Sequence, residues 1–87
     1  GSSQGQLICG KIFKEGRFGA QKNPSQAILW FQKAALQNNA EALYLLGRSY
    51  LYGEGVDKNR KRAKQLLSRA KKMDFPEAVD LYYDEFK

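Results

Sequence analysis

Apolar and small residues recur at helical spacing in the middle of the chain, between residues 40 and 56. Four of them fall three or four positions apart and so share one face of a predicted α-helix: Leu43, Leu46, Gly47 and Tyr50. Gly53 and Gly55 follow, and glycine is the residue that adopts positive φ at no steric cost. The stretch therefore predicts one helix that ends in a glycine-punctuated turn.

The same pattern recurs on both sides of this stretch, which indicates an internal repeat. At an offset of 37 residues, Gly10, Phe13 and Gly16 match Gly47, Tyr50 and Gly53. Further along, the offset is 36, and it pairs Asn23 with Asn59, Ala27 with Ala63, Ala34 with Ala70, and Glu41-Ala42 with Glu77-Ala78. The one-residue change falls in the turn, where a repeat tolerates it.

Each repeat divides into two predicted helices, at 5–15 and 24–37 in the first repeat and at 40–52 and 60–72 in the second. Asn23 and Asn59 are predicted N-caps, and Asn38 and Asp74 are predicted to end the second helices in the left-handed conformation. We predict a single domain over residues 1–87, with repeats at about 5–39 and 40–75. Residues 76–86 are predicted to form a terminal capping helix, and residues 1–3 resemble a tag remnant.

The second helices carry matching apolar stripes, with alanine at the same two places. The predicted stripes are Ala27, Trp30, Phe31, Ala34 and Ala35 in the first repeat and Ala63, Leu66, Leu67, Ala70 and Met73 in the second. Small residues at matching places, including Gly10 and Gly47, predict a close approach of neighbouring helices.

The net charge of +6 is unevenly distributed along the chain. Residues 57–73 carry eight basic and one acidic side chain, whereas residues 74–87 carry one basic and five acidic ones. The excess of positive charge therefore belongs to one helix, and an acidic segment follows it directly.

The composition also limits the disulfide, metal-binding and catalytic chemistry that the chain can carry out. The single cysteine, Cys9, excludes an internal disulfide and is predicted to be a small buried group. The chain has no histidine, which removes the commonest metal ligand and the usual general base. We expect no cofactor and no metal, and the low cysteine content favours the cytoplasm; a periplasmic or secreted location would require that a signal peptide had been removed.

The sequence AEALYLLGRSYLYGEGV, followed by an alanine-led second helix, resembles a Sel-1-like repeat, a relative of the tetratricopeptide repeat. The second helix of the first repeat carries the family's other signature at Ala27, Trp30-Phe31 and Lys33-Ala34-Ala35. The resemblance implies an all-α fold, a right-handed α-α superhelix (solenoid) of two helix pairs plus a capping helix. It also implies a protein–protein interaction module rather than an enzyme.

The resemblance further implies that the first helix of each pair lines the concave side of the solenoid, where positions that differ between copies are candidate contacts. Tyrosine and arginine beside an aliphatic residue are enriched at interface hot spots. We predict partner contacts at Leu45, Arg48, Tyr52, Lys11 and Ile8. The alternative is that Leu45 belongs partly to the core and that Arg48 is an ordinary solvated charge.

The basic helix is the second candidate surface, with outward-facing positions at Lys61, Arg62, Lys64, Arg69 and Lys72. These cations would steer an acidic protein partner toward the chain. The alternative functional reading is a nucleic-acid or anionic-surface binder through residues 58–72. The absence of interleaved aromatic residues disfavours nucleic acid.

The helix at 5–15 has more apolar positions than one helix face needs: Leu7, Ile8, Ile12 and Phe13. This surplus suggests a homodimer through the N-terminal helix. No apolar run is long enough to span a membrane.

Overall fold

Five α-helices make up the computed structural model, which describes residues 2–86; Gly1 and Lys87 lie outside the described residues. The helices are α1 (Ser3–Glu15), α2 (Pro24–Leu36), α3 (Ala40–Tyr52), α4 (Arg60–Lys72) and α5 (Pro76–Glu85). The described residues contain no strand. The predicted all-α architecture is therefore confirmed, and α1 begins two residues earlier than the sequence suggested.

Asparagine side chains begin three of the five helices. The Asn23, Asn39 and Asn59 side-chain oxygens each accept a hydrogen bond from the backbone N–H three residues later, at distances of 3.0–3.1 Å. Each bond satisfies one of the N–H groups that a helix start leaves unpaired. Ser2 does the same for α1 by accepting from the Gly5 N–H at 3.1 Å, so the second and third residues are part of the helix start.

Four of the five helices, α1 to α4, are followed by a residue in the left-handed backbone conformation, and the conformations predicted after α2, α3 and α4 are confirmed. Gly53 follows α3 with φ of 73° and donates its N–H to the Ser49 carbonyl at 2.8 Å. Asn38 and Asp74 follow α2 and α4 with φ of 58° and 61°. Asparagine and aspartate are the non-glycine residues that tolerate this conformation best.

Each helix packs against the next one along the chain, and the pairs α1–α2 and α3–α4 are the tightest. A Cβ atom added at Gly10 would lie 2.5 Å from Phe31 Cε1, and one added at Gly47 would lie 2.8 Å from Leu67 Cγ. Phe31 and Leu67 occupy equivalent positions in the two repeats. The predicted close approach at the two glycines is therefore confirmed, with the same contact geometry in both pairs.

The core combines alanines and leucines from α1 to α5, and it corrects the predicted stripes at Met73 and Trp30 and the predicted burial of Cys9. Met73 is 46% exposed, because it lies past the end of α4 rather than on its inner face. Trp30 and Cys9 are half-buried. The fully buried large side chains are Phe31, Leu7, Leu43, Leu46 and Leu67.

None of the helices within residues 2–86 is long and apolar enough to cross a membrane.

Candidate functional site

Polar contacts hold α1 and α3 side by side. The Lys11 ammonium forms an ion pair with the Glu41 carboxylate, and the Asn39 side chain donates to the Ser3 hydroxyl at 3.4 Å. Lys11 and Glu41 are each about one-third exposed. These two contacts therefore join α1 to the first turn of α3.

On α3, the predicted contact positions lie three or four residues apart and follow Glu41 along the helix. Leu45 is only 8% exposed and belongs to the core. This result corrects the prediction of a partner contact at Leu45, because a buried side chain offers a partner almost no surface. Arg48 is half-buried, and Tyr52 is 47% exposed.

Arg48 lies against an aromatic ring rather than a carboxylate. Its guanidinium carbon is 5.7 Å from the centroid of the Tyr44 ring, within cation–π range. The Tyr44 ring contacts Phe75 in turn, with centroids 5.4 Å apart. The Arg48 side chain is thus supported by packing, while no ion pair within the described residues occupies its donors.

On α1, Ile8 is 49% exposed, and Lys11 lies one turn further along the same side. Leu7 is buried, and Ile12 and Phe13 are half-buried. Most of the apolar surplus of this helix is therefore used within the fold. We use the name α1–α3 face for the predicted contact residues of these two helices that are not in the core: Ile8, Lys11, Arg48 and Tyr52.

The basic helix α4 keeps its charges at the surface. All five predicted electrostatic residues are exposed: Lys61, Arg62, Lys64, Arg69 and Lys72. Within residues 2–86, the only ion pair that α4 makes joins Arg60 to Glu85 at 3.4 Å. The acidic helix α5 therefore compensates α4 at one point and leaves the five predicted cations without a carboxylate partner.

A groove between α2 and α4 was not predicted from the sequence. It has a volume of about 250 Å³ and is lined by Gln32, Ala35, Leu36, Leu46, Arg62, Leu66 and Arg69. Leu36 is 84% exposed, and Leu29, seven residues earlier on α2, is also exposed. The sequence does contain a signal for this groove, because Leu29 and Leu36 share one side of α2, and that side is not the one formed by the buried stripe.

Within the described residues, no group of three or more cysteine and acidic side chains is arranged to hold a metal ion.

The antiparallel helix pairs, the glycine contacts repeated in both pairs and the left-handed turns define a helical-repeat protein of the tetratricopeptide-like class. Within that class, the sequence model of the Sel1 repeat matches residues 3–39 and 40–75. The two matches cover most of the chain, and the protein belongs to the Sel1 repeat family. Sel1 repeat proteins mediate protein–protein interactions.

Two solved structures share the fold. A Sel1 repeat protein from Oxalobacter formigenes is 31% identical, with a TM-score of 0.92, over 97% of this chain and 62% of that one. The Helicobacter pylori cysteine rich protein B is 24% identical, with a TM-score of 0.84, over 91% of this chain and 59% of that one. The chain thus spans less than two thirds of the length of either protein.

Proposed function

We propose that the chain is a non-enzymatic protein-binding module, an adaptor, scaffold or inhibitor, that engages its partner through the α1–α3 face. The observation that carries this proposal is the exposure of Ile8 on α1 and of Tyr52 on α3, at 49% and 47%, with Arg48 one turn before Tyr52. Tyrosine and arginine are among the side chains that supply much of the energy at interface hot spots. Arg48 packs against the Tyr44 ring, and this contact reduces the side-chain entropy that binding would cost.

The charge of the chain indicates the chemistry of the partner. The five exposed cations of α4 lack carboxylate partners within the described residues, and the net charge of the whole chain is +6. Such a field raises the association rate with an acidic surface and has a weaker effect on the dissociation rate. We therefore expect an acidic partner whose association slows as salt concentration rises.

A pull-down with mass spectrometry tests the face, with wild type compared with Arg48→Glu and Tyr52→Ala. We expect both variants to lose the specific partner, and measured affinities to fall about tenfold or more, as hot-spot truncation does. Lys22→Glu is the matched control, because it makes the same charge reversal at an exposed position outside both candidate surfaces. Retention of the partner by Arg48→Glu, or an equal loss in Lys22→Glu, would show that this face is the wrong one.

The alternative function, binding of nucleic acid or an anionic surface through residues 58–72, is favoured by the uncompensated charge of α4. Titration of random duplex DNA at low and high salt tests it, because phosphate contacts produce a steep salt dependence. Affinity no better than about millimolar at low salt would eliminate this alternative.

Self-association through α1 has its own test, since Ile8 is the exposed apolar residue of that helix. Sedimentation equilibrium should show a dimer that Ile8→Lys dissociates. A monomer at high protein concentration would contradict self-association and leave the partner proposal intact.

A further inference from the structure

We infer that the groove between α2 and α4 is a second interaction surface, which docks an acidic amphipathic helix of a partner protein. The groove lies between the second helices of the two repeats, whereas the α1–α3 face belongs to the first helices. The inference therefore does not rest on the proposed function of that face.

The two walls of the groove differ in chemistry. On α2, Leu36 supplies the exposed part of an aliphatic wall, and the buried side chains of Ala35, Leu46 and Leu66 line the rest of it. A leucine that is 84% exposed and stands beside a concave surface gains free energy when a partner covers it. An apolar wall of this kind selects an occupant with an apolar stripe.

The opposite wall presents two arginines of α4. Arg62 and Arg69 are seven residues apart, which corresponds to about two turns or 10.5 Å along the helix. Arg62 lies over the Tyr50 ring, 5.4 Å from its centroid, and Arg69 donates to the Asn38 side chain at 2.9 Å. Both guanidiniums are therefore oriented by neutral groups, and neither is paired with a carboxylate of the described residues.

An occupant that satisfies both walls needs leucine-like side chains on one side and carboxylates two turns apart on the other. An acidic amphipathic helix meets both requirements, because residues i and i+7 lie on the same side at the spacing of the two arginines. Arginine is also suited to bidentate recognition of carboxylates. Nucleic acid is less well matched, since the lining residues of the groove include no aromatic platform for base stacking.

The test uses the full chain and a fluorescein-labelled synthetic peptide of about five helical turns. Its glutamates lie on one side, two turns apart, and its leucines on the other. One control peptide has lysine in place of glutamate. A second keeps the acidic composition but carries a central proline, which breaks the helix.

Binding is measured by fluorescence anisotropy at about 0.15 M salt, where long-range attraction between exposed charges is screened. Amide chemical shifts locate the site. We expect a dissociation constant below about 100 μM for the acidic peptide, weak binding of both controls, and shifts concentrated at Gln32, Leu36, Arg62 and Arg69.

Matched variants separate the groove from the general charge of α4. Arg62→Gln with Arg69→Gln should weaken peptide binding about tenfold or more, because both carboxylate contacts are lost. Lys61→Gln with Lys64→Gln removes the same charge from exposed positions that do not line the groove, and it should weaken binding less than about threefold. Leu36→Ser tests the apolar wall at an exposed position where the fold does not depend on the side chain.

Several outcomes would overturn the inference. One is an equal loss of peptide affinity in the two double variants, and another is a set of chemical-shift changes located on the α1–α3 face. Binding of the acidic peptide to Leu36→Ser at wild-type affinity, or binding of the proline peptide as tight as that of the acidic peptide, would also overturn it. If duplex DNA displaced the labelled peptide at a concentration below the dissociation constant of the peptide, the groove would be assigned to nucleic acid instead. No detectable binding of the acidic peptide up to about millimolar concentration would also refute it.

Discussion

Replacing Gly47 with alanine should destabilise the protein, although alanine is the better helix former. The added Cβ atom would lie 2.8 Å from Leu67 Cγ and 2.9 Å from Leu67 Cδ2, closer than packed carbon atoms can approach. Leu67 is fully buried, so it has no open space into which it can turn. The helices α3 and α4 must therefore move apart, or Leu67 must leave its preferred rotamer.

The size of the effect follows from two opposing contributions. Alanine in place of glycine gains about 1 kcal/mol of helix propensity, whereas overpacking a core costs about 1–3 kcal/mol. The neighbour is fully buried and meets the new atom at two carbons, so the upper half of that range applies. We expect a net loss of about 1–2 kcal/mol, or a melting temperature lower by about 4–15 °C in a domain of this size.

Urea denaturation followed by far-UV circular dichroism measures this loss as a lower midpoint at an unchanged slope. Gly5→Ala is the reference, because Gly5 is a helical glycine whose new Cβ would meet only the Ser2 hydroxyl, at 3.3 Å. The difference between the two variants isolates the overpacking cost from the propensity gain.

A double-mutant cycle then identifies the partner of the new methyl group. Leu67→Ala alone should cost about 2–5 kcal/mol, because it leaves a cavity in the core. Combined with Gly47→Ala, it should cost less than the sum by at least about 0.5 kcal/mol, because the alanine methyl group occupies part of the vacated space. The reasoning would be refuted if the two effects were strictly additive, or if Gly47→Ala were as stable as Gly5→Ala.

Three further pairs of substitutions test the turns and caps, each read out by thermal or urea denaturation. Gly55 and Gly19 have φ of 77° and 78°. An alanine Cβ atom at Gly55 would lie 2.5 Å from the carbonyl oxygen of Pro24, the first residue of α2, whereas one at Gly19 would have no neighbour within 4 Å. Gly55→Ala should therefore cost about 1–3 kcal/mol more than Gly19→Ala, and equal costs would contradict the collision. Asn59→Ala should cost about 1 kcal/mol, with Asn59→Ser close to wild type, because only the N-cap acceptor is lost. Phe75→Asn should be less stable than wild type, because the Tyr44 contact is lost. It should be about 1 kcal/mol more stable than Phe75→Ala, because asparagine supplies the side-chain cap that α5 lacks; identical stabilities for the two variants would argue against a cap.

The parts of the fold that depend on neighbouring residues in sequence were predictable. The left-handed conformations of Asn38 and Asp74, the asparagine N-caps and the bounds of α3 and α4 follow from local backbone preferences. The close approach at Gly10 and Gly47 was predictable for a different reason. Glycine at matching places in two repeats indicates a close contact between helices that a side chain would prevent.

The exposure of single side chains was less predictable, because it depends on where the next helix lies. Leu45 shares a helical stripe with Arg48 and Tyr52, yet it is in the core while the other two are not. Met73 shares a periodicity with buried residues of α4, yet it follows the helix end and is exposed. Helical spacing gives the direction in which a side chain points, whereas tertiary packing decides what covers it.

The junctions between repeats show why the candidate contacts differ from one copy to the next. Between α1 and α3 the junction is polar: Lys11 pairs with Glu41, and Asn39 both caps α3 and donates to Ser3. Between α3 and α5, Phe75 replaces the capping asparagine and contributes no side-chain cap, but its ring contacts Tyr44 instead.

This aromatic junction changes the environment of Arg48. Arg48 is the counterpart of Lys11, but it lies over the Tyr44 ring rather than forming an ion pair. A guanidinium held against a ring keeps its in-plane N–H donors, whereas an ammonium in an ion pair has already used part of its hydrogen-bonding capacity. The exchange of a polar junction for an aromatic one thus leaves Arg48 better prepared than Lys11 to receive a carboxylate from a partner. This difference is the structural reason to test Arg48 before the other residues of the α1–α3 face.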